Sequence, residues 1–508
     1  MKKTIILFFL ISGFLVSAQS VPKKQNKKTT STTFANSIST GDLKKHLFIV
    51  AGKEMEGRET TKEGQRKAAA YIENHFRSLG LLPGNKGDYQ MKFPVYQDSL
   101  ISTSIQINDK TYQLDQDFFL SVSQNTNSTL RFSQIVFIGI GEADSLNDDY
   151  KDIDVRGKVV MMLGTPQTLS SSSRYPNPKL EAAQRNGAIA VLYISNMFPR
   201  KTKTSAIGSM YLYAFQKTLR PNQFIISEKM AEAIMGEDYA KTKKQHILPK
   251  IYPAEIMIDF YKSTSKLQSS NVMGLLEGTD LKDQYVFVTA HYDHLGKKDT
   301  VIWYGADDNG SGTVGVLEIA EAFAKAKAAG KGPRRSMVFM TVSGEENGLL
   351  GSEYYTDHPV YPFEKTTVDL NIDMIGRSDS SRKQGDLNNY VYVVGDDKLS
   401  SDLKHISEAA NSKYTKLELD YKFNDPKDRH RIYYRSDHYN FAQNGVPVIF
   451  YYDGMIGSDY HKPTDTPDKI NFELLAKRSQ LVFYTAWEMA NRDEMLKRDL
   501  ILVKPRGF

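Results

Sequence analysis

The sequence predicts an α/β domain built on a mixed, mostly parallel sheet flanked by helices and interrupted by a β-rich inserted domain. From Asn271 onward, short apolar runs alternate with amphipathic stretches, the strand, loop, helix, strand rhythm of a sheet covered on both faces. From about residue 116 to 254 the texture changes to short β-type runs separated by turns rich in Asp, Asn and Ser. At 508 residues the chain also exceeds one ordinary core.

Residues 1–18, MKKTIILFFLISGFLVSA, read as a secretory signal cleaved after Ala18. Lys2 and Lys3 precede an apolar stretch from Ile5 to Val16, and small residues follow at Ser17 and Ala18. The stretch is shorter than the ~20 residues of a spanning helix. No second run of this kind follows, so the mature chain is expected to lack a transmembrane segment and to be secreted or periplasmic. Residues 19–40, rich in Lys, Thr and Ser, are expected to form a flexible leader.

Residues 41–115 are assigned to the main domain. Within them 66–82 carries Ala69, Ile72, Phe76 and Leu79 at helical spacing, closed by Gly80. In the insertion, 116–254, strands are expected at 134–140 and 158–163, and a helix at 179–187 leads into the strand AIAVLYIS. Residues 255–508 return to the main domain, with strands at 285–290, 336–342, 368–375, 390–394 and 446–452. A helix at 311–329 gathers Val316, Leu317, Ala320, Phe323 and Ala324 on one face before Gly330, and 472–495 reads as a terminal helix. In SGEENGLLGSEYY, Ser343 followed three residues later by Glu346 has the spacing of a capping box.

Composition narrows the chemistry. Removing Lys2 and Lys3 lowers the formal charge from +6 to +4, which offers no electrostatic case for nucleic acid. The chain has no cysteine, so disulfides, thiolate zinc sites and cysteine nucleophiles are excluded. Metal chemistry must use His, Asp and Glu.

Such residues cluster at the ends of apolar runs. VFVTAHYDHLG presents His291 and Asp293, whose two-residue spacing sends both side chains to one side of an extended chain; Asp293 is placed to support a neighbouring ligand or base. WYGADDNGSG presents Asp307 and Asp308 before a helix start, where Asp308 or Asn309 would also serve as a helix cap. Glu345 and Glu346 follow the next run, then Asp373 in LNIDMIGR and His461 in DYHKPTDTPDKI. A carboxylate inside LNIDMI is costly unless a cation or hydrogen bonds meet it. Two imidazoles and three carboxylates suit a pair of divalent ions, Zn²⁺ first.

HYDHLG, GADDNGSG, SGEENGLLGS, NIDMIG and YHKPTDTPDKI, in this order, resemble the motifs of the M28 family of co-catalytic zinc aminopeptidases. The resemblance covers about 271 to the C-terminus, and EGRETTKEGQRKAAAYIENHFRSLGL resembles the family's N-terminal helix. It implies a zinc-exopeptidase fold holding two Zn²⁺ ions. His291 and Asp373 would bind one ion, Glu346 and His461 the other, and Asp308, counted back from Ser311-Gly312, would bridge them. Asp293 would orient His291 and Glu345 would be the general base. DVRGKVVMMLG and AAQRNGAIAVLYISN similarly make the insertion resemble a protease-associated domain.

The implied reaction is hydrolysis of N-terminal peptide bonds of a peptide or protein substrate by a metal-activated water. Tyr460 is a candidate oxyanion donor. Arg377 and Arg435 are candidates for binding a substrate carboxylate, which would shift preference toward C-terminal or acidic substrates. Asp437 and His438 read as structural. The alternatives are a carboxypeptidase or dipeptidase of the same fold, a non-catalytic receptor-like ectodomain, and single-zinc cyclisation of N-terminal glutamine. A serine hydrolase is excluded because GSGTVG has the wrong register for a nucleophile elbow.

Overall fold

The computed structural model describes Met1 and residues 30–144, 147–165, 177–245, 247–457 and 459–502. Apart from Met1, the expected signal sequence and most of the expected leader lie outside these residues. The leader's final stretch is structured: helix α1 (Thr30–Ala35) precedes α2 (Thr40–Val50), and Ala35 and Ile38 are buried in the main core. Phe34 stacks on Trp487 at 6.1 Å. A few well-placed apolar residues anchor a segment whose average composition is that of a linker.

The sheet of the main domain is built from near-continuous apolar runs, as strands covered on both faces require. Strands β1 (Leu281–His291), β2 (Arg335–Val342), β3 (Thr366–Ile372) and β4 (Val448–Tyr452) lie in the order β4, β3, β1, β2, all parallel. Tyr390–Val394 adds to β4 in antiparallel sense, so the sheet is mixed. Helices α3 (Glu63–Ser78), α4 (Gly312–Ala328) and α5 (Phe472–Asn491) pack with α1 and α2 around the largest core cluster. Phe323 of α4 lies 4.8 Å from Phe483 and 5.7 Å from Trp487 of α5.

A second core lies under Ser128–Phe137, Val159–Leu163, Ala190–Ser195 and Asn222–Ser227. Two long strands, Gln90–Ile107 and Lys250–Leu276, run antiparallel from one core to the other. Ile105, Ile107, Ile256, Ile258 and Phe260 are buried in the second core. The change of core therefore falls inside these strands, not at 115/116 and 254/255, because a strand can alter what it packs against without a break in its backbone. Among the described residues no helix is long and apolar enough to cross a membrane.

The capping box is a correction. The helix after SGEENG is Leu350–Asp357, preceded by Leu349 at φ 67° with no side-chain cap. Ser343 instead accepts a hydrogen bond from Ser269 Oγ at 2.9 Å. Residues 343–349 form a loop, which leaves both glutamates free of the helix.

Candidate metal centre

The parallel strands deliver their polar residues to one edge. His291 is the last residue of β1, in register with Val342 at the end of β2, and Asp373 directly follows β3. Glu345 and Glu346 follow β2, His461 lies in the segment after β4, and Asp308 lies in the loop between β1 and α4. Ligands of open α/β sheets collect at such carboxyl ends. Asp308, Glu345, Glu346, Asp373 and His461 line a cavity of about 370 Å³ together with Tyr452, Tyr460 and Arg435.

Asp308 stands at the centre. Its Oδ1 is 3.3 Å from His291 Nε2, which is also 3.3 Å from Asp373 Oδ1. Its Oδ2 is 3.1 Å from His461 Nε2, which is 3.1 Å from Glu346 Oε2. One carboxylate thus addresses two histidine–carboxylate pairs with separate oxygens. Asp307 faces away: its Oδ1 accepts the Gly376 amide at 2.8 Å, and burial followed by Asp453 and Asp465 pushes its carboxyl well up. Geometry therefore selects Asp308 of the two.

The electrostatics favour positive charge beside both histidines. His291 Nε2 is buried with no hydrogen-bond partner although carboxylates surround it. Burial alone would lower the His291 pKa, but Asp373, Asp293 and Asp308 hold it well above the ordinary value. Burial likewise opposes a proton on His461, yet Asp308 and Glu346 raise it to about 10. The surrounding carboxylates thus favour positive charge at this site, and the donor set of imidazoles and carboxylates fits zinc.

Glu345 is different from its neighbour. Burial pushes its carboxyl well up, reinforced by Glu346 and Asp373 and opposed by His291. It accepts no histidine within 3.5 Å; its Oε2 is 4.0 Å from His291 Nε2. Asp293 sits behind, with His291 Nδ1 3.2 Å from its backbone oxygen and 3.7 Å from Oδ1. Thr60 donates to Asp293 Oδ2 at 2.7 Å.

Two predicted arginines part company. Arg435 reaches the cavity and donates to Tyr460 Oη at 2.9 Å. Arg377 does not line it: Nη2 bonds Asp459 at 2.9 Å and Nη1 lies 4.0 Å from Asp465. The Asp459 contact ties Arg377 to the segment that carries His461. Asp437 is buried, its pKa raised to about 7 chiefly by burial. His438 is fully buried and lowered to about 3.

Other residues were not legible as site residues. Asp465 accepts the amides of Asp307 and Asp308. Arg58, buried, donates to the carbonyls of Val50, Tyr292, Tyr304 and Gly305. His294 Nδ1 lies 2.7 Å from Glu346 Oε1, the other carboxylate oxygen from the one facing His461. The only signals were their presence within EGRET, HYDHLG and TDTPD.

The sequence model of peptidase family M28 matches residues 271–486. Over this stretch the chain carries the sequence of an M28 peptidase domain. The M28 domain's curated relatives include a probable leucine aminopeptidase of Arthroderma otae, 26% identical over 276 residues, covering 53% of this chain and 70% of that one. A probable leucine aminopeptidase of Trichophyton verrucosum is 31% identical over 214 residues, covering 41% and 55%. An aminopeptidase of Bacillus subtilis is 27% identical over 243 residues, covering 46% and 48%. The chain thus spans about half the length of the latter two. Among solved structures, an aminopeptidase from Aneurinibacillus sp. strain AM-1 superposes with TM-score 0.58 at 18% identity, covering 94% of this chain and 98% of that one. A zinc aminopeptidase from Bacillus subtilis gives 0.50 at 20% identity, covering 92% and 98%. At these identities the likeness establishes the fold alone.

Proposed function

We propose that the protein is a two-zinc aminopeptidase, with Glu345 as general base. The observation that carries this reading is the placement of His291 with Asp373, and of His461 with Glu346, on opposite oxygens of Asp308. His291 and Asp373 would hold one ion, His461 and Glu346 the other, and Asp308 both. When bound, two such ions supply Lewis-acid chemistry, making water more acidic and polarising the scissile carbonyl.

The chain's own residues do the rest. The Glu345 carboxylate accepts a proton from the attacking water and returns it to the departing amine; its unpaired position and raised proton affinity suit both steps. The Tyr460 hydroxyl, on the cavity wall, donates toward the carbonyl oxygen as negative charge develops. Acidic residues around the pair receive the substrate's free α-amine. The strand Ile207–Tyr211 of the insertion brings Ser209 to the cavity, which supports a part for the protease-associated-like domain in limiting access. Export is supported by the sequence of residues 1–18 and is tested by N-terminal sequencing of the exported protein.

A second reading has its own support. Arg435 lies in the cavity wall and donates to a tyrosine rather than to a carboxylate, so it is available to a substrate carboxylate and favours dipeptides or acidic substrates.

The deciding experiment compares Glu345→Gln and Glu346→Gln with wild type on free and N-acetylated aminoacyl peptides, alongside metal content. The expected result is that Glu345→Gln keeps metal and loses turnover, Glu346→Gln loses metal, and N-acetylation blocks cleavage by wild type. A fully active Glu345→Gln, or a wild type that takes up no zinc, overturns the reading.

A further inference from the structure

Away from the cavity, a second set of ligating side chains meets where α2, α3 and α4 pack together. His46 of α2, His75 of α3 and Glu321 of α4 each offer one ligand atom, and these atoms all lie within 4.8 Å of one another. The two imidazole rings approach edge to face at 4.7 Å. No step of the proposed reaction uses them.

Several features mark this junction as more than a chance meeting of polar side chains. Glu318, one turn before Glu321 on α4, is 1% exposed, and neither of its carboxylate oxygens has a hydrogen-bond partner. Its Oε1 points at His46 Nε2 from 3.4 Å. His75 Nε2 is buried without a partner as well. Buried carboxylate and imidazole atoms left without partners cost free energy that a cation among them recovers. His46 Nδ1 lies 2.7 Å from Tyr71 Oη. That contact is the kind of outer-shell hydrogen bond that fixes a ligating ring and leaves its other nitrogen for a metal. Glu321 pairs with Lys325 through Oε1 at 2.5 Å and still offers a ligand atom to the group. His75 and Glu321 are partly exposed, which gives an ion a way in.

We propose that His46, His75 and Glu321, joined by Glu318, form a structural divalent-metal site separate from the reaction centre. Two imidazole nitrogens and a carboxylate oxygen from His46, His75 and Glu321, with Glu318 beside His46, suit Zn²⁺. The ion ties α2 and α3, which precede the insertion in the chain, to α4, which follows it. Glu318 lies six residues into α4, about 9 Å along the helix from Gly312 and the Asp308 loop. Fastening α4 there holds the two sequence-distant parts of the M28 domain together.

The test loads the full chain and two variants, His75→Ala and Glu321→Gln, with Zn²⁺, removes free ion by dialysis, and counts zinc per chain by mass spectrometry. Wild type is expected to hold one equivalent more than either variant, and both variants to retain peptidase turnover near the wild-type value at room temperature. Thermal unfolding should be lower in both variants than in wild type when zinc is present, with the gap closing in chelator. Equal zinc counts in wild type and Glu321→Gln overturn the proposal. Glu321 is a partly exposed helix position, so Glu321→Gln decides the question even if His75→Ala does not fold. Glu321→Gln combined with Glu346→Gln should hold one equivalent less than Glu346→Gln alone, which separates this site from the catalytic pair.

Discussion

Asp465 holds Asp308 from behind: its Oδ2 accepts the Asp308 amide at 3.1 Å, and its two oxygens also accept the Asp307 amide at 3.1 and 3.0 Å. A carboxylate four residues after His461 therefore sets the backbone that presents the central aspartate, coupling the two segments that would share an ion. Asp465→Asn keeps the size of the side chain but exchanges one acceptor oxygen for a donor facing two amides. Metal affinity is expected to fall by ~10–100-fold, as when outer-shell partners are lost elsewhere. At saturating zinc, turnover should largely recover. Competition with a chromophoric chelator measures the affinity; an unchanged value would mean that the Asp308 loop holds its shape without Asp465.

Tyr460 offers a sharper test of the reaction. Burial, together with Asp308, pushes the phenol's pKa far above its usual range, so the hydroxyl keeps its proton. Arg435 occupies one of its lone pairs at 2.9 Å, which orients the remaining donor direction. Tyr460→Phe is expected to lower kcat by ~10²-fold with KM nearly unchanged, the pattern of an interaction made mainly in the transition state. Stacking on His461 at 3.8 Å survives in phenylalanine, so metal content should hold. A raised KM with kcat intact would assign Tyr460 to binding instead.

What could be seen in the sequence follows a physical boundary. β1 to β4 were legible because a strand buried on both faces must be apolar along its length, and His291, Glu345, Glu346 and Asp373 stood out as the polar residues ending those runs. Asp465, Arg58 and His294 did not, because each works through partners that only the fold supplies: Arg58 bonds carbonyls near residues 50, 292 and 305. The capping box failed for a related reason. Ser343 and Glu346 have the right spacing, but Leu349 at φ 67° delays the helix and Ser269 takes Ser343. Arg377 and Arg435 looked alike as arginines near site motifs; only Asp459 and Asp465, beside one and not the other, separate them.

Arg435 then becomes the residue through which substrate class can be read. Arg435→Met keeps much of the apolar stem in the cavity wall and removes the guanidinium. If a substrate α-carboxylate or acidic side chain meets Arg435, KM for dipeptides should rise ~10-fold or more while KM for the matching dipeptide amides changes little. Equal effects on acids and amides would restrict Arg435 to orienting Tyr460.

Asp369 predicts how stability depends on pH without reference to metal. It lies within β3, fully buried, and accepts the Thr289 hydroxyl at 2.8 Å through Oδ1, while Oδ2 has no partner. Burial dominates over that hydrogen bond, and with Asp437 nearby it raises the carboxyl from 3.8 to about 8. A folded-state pKa above the unfolded one means that the native state binds the proton more tightly. The contribution is fully present below 3.8 and is lost as pH rises through 8, when the native state must also give up the proton. Asn in its place still accepts from Thr289 but has no proton to lose. The midpoint of thermal unfolding of Asp369→Asn should therefore gain on wild type as pH is raised from about 5 to about 9, whatever the offset between the two proteins at low pH. Parallel curves across that range would mean that the wild-type carboxyl titrates as an exposed one does.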